Sequence, residues 1–169
     1  MKKKWMCMLL TAAMVFGMVA CGEKDANDGD PDTDPNGDEQ QEQTLKIGGI
    51  GPLSGGYANY GLSVKNGAQI AVDEINANGG INGMQVELLF EDSQGNPESA
   101  VAAYGKLMDD GMQVSLGAVL SGETASVVAA AQADDIMLLT PSGSADKAID
   151  GSDKAFRVCF YDSYQGAAA

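Results

Sequence analysis

The chain has 169 residues, of which 44% are hydrophobic and 20% charged, enough for one compact domain with a proper core but not for two large ones. Its formal net charge of −14 argues against nucleic-acid binding, because a phosphate-binding surface needs clustered lysine and arginine. The sequence contains no histidine, which excludes Ser-His-Asp catalysis, Cys-His catalysis and any histidine-based metal site.

Residues 1–20 have the pattern of a targeting signal. Three lysines at positions 2–4 form a positive start, and residues 5–20 are an uncharged apolar stretch. This stretch is short for a membrane span, which needs about 20 residues. With small residues before Cys21, the segment resembles a bacterial lipoprotein signal, which implies cleavage before Cys21 and lipid on its sulfur. An uncleaved anchor helix is the alternative, and both place the rest of the chain outside the cytoplasm.

Residues 21–43 are predicted to form an acidic, disordered linker. Between positions 23 and 43 nine residues are acidic and Ala26 alone is apolar, so the segment cannot bury enough surface to offset its ordering entropy. The opening of a D-x-D-x-N-G calcium loop begins at Asp32. Its twelfth position would be Gln43 instead of glutamate, and Pro35 interrupts it, which disfavours a metal site.

From about Thr44 the pattern predicts alternating strands and helices. Strands are predicted over 45–50, 85–90, 114–120, 136–140 and 155–160. Helices are predicted over 57–78, 96–110 and 124–134, with a weaker one over 145–149 and another that opens at 162. A core-facing stripe is predicted on the first helix at Ala68, Ala71, Val72 and Ile75. This alternation predicts an α/β fold with a parallel, doubly wound sheet in the flavodoxin-like order 2-1-3-4-5.

Three of the predicted strands run into turns rich in glycine and hydroxyl groups. These turns are residues 51–56, 121–124 and 141–144. In a parallel sheet such turns lie at the carboxyl edge of the strands, where backbone N–H groups and helix N-termini face a crevice. The three turns are therefore expected to converge and to hold a small polar or anionic solute.

An ordered series of short motifs runs through the chain from residue 45 to its end. They are 47–55 (IGGIGPLSG), 60–61 (YG), 66–68 (NGA), 75–83 (INANGGING), 91–92 (ED), Gly117, Ser121, 140–141 (TP) and 165–166 (QG). Together they resemble the opening of the leucine/isoleucine/valine-binding proteins. These are type I periplasmic binding proteins, which supply substrate to ABC importers.

The resemblance implies a two-lobe protein. Residues 44–161 would be its N-terminal lobe and residues 162–169 the start of a truncated second lobe. The parent protein would be a lipid-anchored, extracytoplasmic solute-binding component for branched-chain or similar amino acids. Its partners would be the amino acid, a membrane ABC permease and the membrane through the N-terminal lipid, with no catalysis, cofactor or metal.

The resemblance also implies ligand-binding roles for six residues. They are Tyr60, Ser121, Gly122, Ser142, Gly143 and Ser144. The Ser121 hydroxyl and the first amides of the following helix would take the ligand carboxylate, and the turn that contains Ser142 would meet both the ammonium and the carboxylate. Tyr60 would line an apolar pocket. The simpler alternatives are that the serines cap helices and that Tyr60 is a core aromatic.

Two other functions are weighed against this one. A sensor domain of a receptor would share the same fold. A nucleotide-binding enzyme is suggested by a near match to a dinucleotide fingerprint at residues 49–54, but Ser54 replaces the third glycine and Pro52 removes an amide. The S-x-x-K match at residues 144–147 lacks its partner motifs, and the acidic pair at 91–92 is interpreted as a solvated strand end.

Overall fold

The computed structural model describes residues 44–169. Its strands are β1 (Thr44–Gly51), β2 (Gln85–Asp92), β3 (Val114–Ala118), β4 (Leu138–Thr140) and β5 (Ala155–Arg157). Its helices are α1 (Ala58–Ala77), α2 (Pro97–Asp109), α3 (Ser121–Ala131) and α4 (Asp162–Ala168), with a 3₁₀ helix at Asp146–Ile149. The predicted signal, the lipid site at Cys21 and the acidic linker lie outside the described residues. Within 44–169 no helix combines the length and apolarity that a membrane crossing requires.

The five strands form one parallel sheet in the order β2-β1-β3-β4-β5, which confirms the predicted fold class and strand order. β1 pairs with β2 along its whole length, from Thr44 opposite Gln85 to Gly51 opposite Asp92. From β1 the chain continues to β2 on one side of it and then to β3 on its other side. The carboxyl ends of β1 and β3 therefore flank the switch point, which is where α/β proteins bind ligands.

The main core lies between the sheet and the layer made by α2 and α3. Its buried side chains include Ile50, Leu107, Met112, Val127 and Leu138. A Cβ on the β1 residue Gly48 would lie 2.0 Å from the Met112 sulfur and 3.2 Å from Leu107, so glycine is needed there for this layer to approach the strand. The N-terminus of α2 is capped as predicted, because Asn96 accepts hydrogen bonds from the amides of Glu98 and Ser99 at 2.8 and 3.1 Å.

α1 packs over β1 and β2, and its buried stripe differs from the prediction. Val72 is buried, but Ala71 is exposed and Ala68 is only partly buried. The second buried position is Gly61, where an added Cβ would lie 2.0 Å from the Pro52 carbonyl oxygen. The helix therefore contacts the β1 turn, backbone against backbone, and its buried line runs from Gly61 to Val72, with Ala71 beside this line.

Several element boundaries also differ from the prediction. α3 begins at Ser121, three residues earlier than expected. Leu120 is the last residue with extended backbone (φ −91°, ψ 145°), and the helix starts at the next residue. The weak helix at 145–149 is a single 3₁₀ turn at Asp146–Ile149, and β5 ends at Arg157 instead of residue 160. The early start of α3 matters for the site, because it puts Ser121 and Gly122 in the first turn of the helix.

Candidate functional site

The turns after β3 and β4 meet at the carboxyl edge of the sheet, as predicted, and the turn after β1 lies at the same edge, where it is bonded to the end of β2. We call residues 52–57 the β1 turn and residues 141–145 the β4 turn. The Ser142 hydroxyl donates to the Val119 carbonyl oxygen at 2.7 Å, and the Ala145 amide donates to the Ser121 hydroxyl oxygen at 3.2 Å. An open groove of about 310 Å³ joins this edge to the start of α1; its lining residues are Asn59, Tyr60, Ser63, Val64, Val119 and Ser142.

Ser121 and Gly122 occupy the first two positions of α3. The amides of Ser121, Gly122 and Glu123 have no acceptor within the helix, because the first intrahelical bond is the one from the Thr124 amide to the Leu120 carbonyl oxygen at 2.8 Å. These amides and the positive end of the helix dipole favour an anion. The alternative that Ser121 is a helix cap is wrong, since Leu120 is the N-cap and the Ser121 hydroxyl bonds across to the β4 turn.

The β4 turn is held by two buried threonines, Thr124 and Thr140, to which the sequence motifs gave no role in the site. The hydroxyls of Thr124 and Thr140 donate to the Ala118 carbonyl oxygen at 2.9 and 2.8 Å, and Thr140 accepts from the Gly143 amide at 3.0 Å. A Cβ on Gly143 would lie 2.8 Å from the Thr140 hydroxyl and 2.9 Å from that of Thr124. Gly143 is therefore packed against both hydroxyls, while the neighbouring Ser142 is exposed. The Ser142 side chain bonds to Val119 and caps no helix.

Ser144 is partly buried, and the only arginine of the sequence lies behind it. The Arg157 Nη1 donates to the carbonyl oxygens of Gly143, Ser144 and Ala145 at 2.9, 3.0 and 3.0 Å. Its guanidinium carbon also lies 4.0 Å from the centre of the Tyr161 ring. Sequence reasoning missed this residue, although one signal was present, namely a lone arginine within an apolar strand.

Asp92 joins the β1 turn to the end of β2. Its Oδ1 accepts from the amides of Leu53 and Gln94, both at 2.8 Å, and its Oδ2 accepts from the Ser54 hydroxyl at 2.7 Å. Burial alone would raise the pKa of Asp92, but these hydrogen bonds outweigh it and hold the pKa below its ordinary value. Asp92 does end β2, as predicted, but its partly buried carboxylate is hydrogen-bonded within the protein and is not simply solvated.

Glu123 is a buried carboxyl beside the first turn of α3. Only 1% of its surface is exposed, and its Oε1 accepts from the Ser93 hydroxyl at 2.7 Å. Burial raises the pKa of Glu123, and the hydrogen bonds from Ser93 and the Leu120 amide partly offset this rise. The Ser93–Glu123 bond fixes the residues after β2 against α3, so the end of β2 and the start of α3 are held as one unit.

Tyr60 lies on the first turn of α1 and lines the groove. It is 62% exposed, so the alternative that it is a core aromatic is wrong. Its ring centre lies 6.5 Å from that of Tyr57, with the ring planes tilted by 55°. With Val64 and Val119 it supplies the apolar part of the groove lining, which also includes Ser142 but neither Ser121 nor Gly122. The edge thus offers both polar groups and apolar surface.

Comparison with known proteins identifies the family. A family model described as periplasmic binding protein matches residues 44–169. The Leu/Ile/Val-binding protein BraC3 of Rhizobium johnstonii is 40% identical over 126 residues, which cover 74% of this chain and 34% of BraC3. The leucine-, isoleucine-, valine-, threonine- and alanine-binding protein of Pseudomonas aeruginosa is 34% identical over 127 residues, which cover 75% and 34% of the two chains.

Two solved structures are also similar to this chain in fold and sequence. The branched-chain amino acid transporter substrate binding protein LivJ of Streptococcus pneumoniae, in complex with isoleucine, has a TM-score of 0.69 and 38% identity over 72% of this chain and 35% of LivJ. The leucine binding protein LivK of Thermotoga maritima has a TM-score of 0.67 and 29% identity over 73% of this chain and 35% of LivK. The chain spans about a third of the length of the relatives it matches. The chain belongs to the periplasmic binding protein family, among the type I proteins of the leucine/isoleucine/valine-binding group.

Proposed function

We propose that the chain contributes the first lobe of an extracytoplasmic solute-binding protein, which carries branched-chain or similar amino acids to an ABC importer. The observation that carries the proposal is the meeting of the α3 N-terminus, the hydroxyls of Ser121 and Ser142 and an apolar wall at one edge of the sheet. The relatives support it, because their names describe binding of leucine, isoleucine and valine and the LivJ structure holds isoleucine. They favour neither the sensor domain nor the nucleotide-binding enzyme.

Each part of an amino acid has a matching surface in this proposal. The carboxylate faces the amides of Ser121 and Gly122, whose hydrogen-bonding capacity the helix leaves unused. The ammonium and the other carboxylate oxygen meet hydroxyl and backbone groups of Ser142, Gly143 and Ser144. The aliphatic side chain lies along the wall that Tyr60 forms with Val64 and Val119. The protein acts by binding, and no step of this function needs covalent chemistry.

Affinity is expected to depend on a second lobe. Pockets for small ligands usually enclose 70% or more of the ligand, whereas an open groove leaves its polar groups partly solvated. The relatives are about three times as long as the part that this chain matches, which leaves room for a lobe that closes over the ligand. We therefore expect this chain alone to bind amino acids weakly, with dissociation constants on the order of millimolar.

Location and anchoring form a separate part of the proposal. The basic start, apolar stretch and Cys21 support export and lipid attachment at that cysteine. The test is metabolic labelling with radioactive palmitate of a bacterium that expresses the full chain. Label is expected in the wild type and absent from Cys21→Ser, with Cys159→Ser as the matched control that keeps it. Equal labelling of all three proteins would contradict lipid attachment at Cys21.

Binding is tested by an NMR titration of the full 169-residue chain in detergent micelles. L-leucine is expected to shift the amide signals of Ser121 to Glu123 and of Ser142 to Ser144, whereas glucose and NAD are expected to leave them in place. Ser121→Ala should weaken the effect. The matched control is Ser152→Ala, since Ser152 also accepts a backbone amide, that of Lys154 at 3.1 Å, but precedes β5 at the opposite edge of the sheet. Shifts caused by glucose or NAD and not by any amino acid would contradict the proposal.

A further inference from the structure

We propose that Arg157 is the positioning residue of this site: its guanidinium sets the direction in which the amides of the β4 turn point. The inference rests on the proposed function for the identity of the ligand, but its geometric part does not depend on any ligand. Arg157 does not line the groove, its side chain bonds to no groove-lining residue, and it lies on β5. Its effect on binding would therefore be transmitted entirely through the backbone of residues 143–146.

Four consecutive carbonyl groups converge on this one side chain. Nη1 donates to the oxygens of Gly143, Ser144 and Ala145 at 2.9 to 3.0 Å, and Nη2 donates to that of Asp146 at 3.1 Å. Four neighbouring carbonyl dipoles that point at one place repel one another, and a cation at that place offsets the repulsion. A permanently charged, planar group with several donors satisfies this arrangement, and a single ammonium group cannot reproduce its geometry.

The direction of the carbonyls determines the direction of the amides. In a trans peptide the C=O of one residue and the N–H of the next point in opposite directions, and the described chain contains no cis peptide. Because the carbonyls of Gly143 and Ser144 point at Arg157, the amides of Ser144 and Ala145 point away from it. The Ala145 amide shows the result directly, since it donates to the hydroxyl of Ser121 in the proposed carboxylate site.

The same side chain is held from its other side by the residues that follow β5. The Tyr161 ring lies 4.0 Å from the guanidinium carbon, and the Asp162 amide donates to the Ser144 carbonyl oxygen at 3.0 Å. The Ser163 hydroxyl donates to the Asp146 carboxylate at 3.0 Å. Arg157 thus links the β4 turn to the start of α4, so a change in the path of the chain at Tyr161 would change the orientation of the β4-turn amides.

The first test needs no variant, because Arg157 is the only arginine. Full-length chain labelled with ¹⁵N-arginine gives side-chain NMR signals from this residue alone. The hydrogen bonds of the proposed clamp are expected to stop rotation about the Nε–Cζ and Cζ–Nη bonds, which gives separate, slowly exchanging Nη proton signals at 25 °C. A single averaged Nη signal that remains averaged at 5 °C, as for free arginine, would overturn the proposal.

The second test compares Arg157→Lys with Lys147→Met in amide hydrogen exchange. Lys147 is an exposed cation of the adjacent 3₁₀ helix, so its removal changes the local charge without touching the clamp. The Ala145 amide is expected to exchange at least tenfold faster in Arg157→Lys and at the wild-type rate in Lys147→Met. Unchanged protection of the buried core residue Val127 shows that the fold is kept. Equal protection of Ala145 in all three proteins would overturn the proposal.

Leucine titrations of the same three proteins separate this inference from the proposed function. If both hold, the initial slope of the Ser121 amide shift against leucine concentration falls about tenfold in Arg157→Lys, which corresponds to about 1.4 kcal/mol, and stays unchanged in Lys147→Met. If the wild type binds no amino acid while the exchange result is as expected, the proposed function is wrong and the positioning of the amides stands. If Arg157→Lys binds leucine as the wild type does, the positioning role is wrong.

Discussion

Replacing Asp92 by asparagine measures how much one carboxylate contributes to the stability of the fold at the carboxyl edge of the sheet. In the wild type Oδ1 accepts from the amides of Leu53 and Gln94 at 2.8 Å, and Oδ2 accepts from the Ser54 hydroxyl at 2.7 Å. Asparagine keeps an oxygen for the two amides, but it places an NH₂ group where Ser54 needs an acceptor. It also removes the charge that strengthens all three bonds.

The expected cost follows from these contacts. A hydrogen bond to a charged group contributes about 1.5–3 kcal/mol net, and this value is reduced here because Asp92 is only partly buried and solvent screens its charge. With one bond lost and two weakened, Asp92→Asn should lower the free energy of unfolding by about 1–2 kcal/mol. The exposed Asp153 provides the matched control, since Asp153→Asn should change it by less than about 0.5 kcal/mol.

The assay is urea unfolding of the full chain, followed by circular dichroism between pH 7 and pH 3. The pKa of Asp92 is lower in the folded state, so its stabilising effect is fully present above the ordinary aspartate pKa and is lost as the pH falls through the folded value. The difference between wild type and Asp92→Asn should therefore be constant from pH 7 to about pH 5 and shrink below about pH 4. A difference no larger than that of the control at pH 7, or one that grows on acidification, would contradict a stabilising role of the Asp92 carboxylate.

Three further predictions concern the same edge. Gly143→Ala should lower the unfolding free energy by about 1–3 kcal/mol in urea titrations and displace the β4 turn, because its methyl group would overlap the hydroxyls of Thr124 and Thr140; wild-type stability would contradict this packing. The pKa of Glu123 is raised by burial, so the wild type should lose stability relative to Glu123→Gln as the pH rises from 4 through the folded pKa. In melting curves, a stability difference between the two proteins that stays the same at all pH values would contradict this. Tyr60→Ala should change the unfolding free energy by less than about 0.5 kcal/mol while weakening the leucine shifts, since the ring is 62% exposed; a large loss of stability would restore the core interpretation.

The fold was predictable because its signals are local and repeat along the chain. Each strand is a short apolar run closed by glycine or polar residues, and the Asn96-Pro97 cap fixes the start of α2. The failures occurred where tertiary contacts overrode local pattern. Ala71 fits an apolar stripe, yet the close contact between Gly61 and Pro52 sets which side of α1 faces the sheet. Helix periodicity cannot reveal a contact between two backbones.

The candidate site divides in the same way. Ser121 and Ser142 were predictable because strand order puts their turns at one edge, and the structure brings them there. Arg157 could have been noticed as a lone arginine in an apolar strand, but its role was not predictable, because its partners are backbone carbonyls of residues 143–146, which carry no side-chain signature. The role of Asp92 depends on pairing β2 beside β1, so that a strand end reaches Leu53 across the sheet. Residues such as Arg157 and Asp92, which hold a loop from another element, can be recognised only when the structure of that loop is known.

The most direct test of an amino-acid site at this edge is the leucine titration of the full 169-residue chain by NMR. Saturable shifts are expected in two separate segments at once, the first turn of α3 at Ser121 and Gly122 and the β4 turn at Ser142 to Ser144. Ser121→Ala should reduce them and Ser152→Ala should leave them unchanged. Shifts confined to one segment, or an equal response of both variants to leucine, would contradict the claim that these turns form one site for an amino acid.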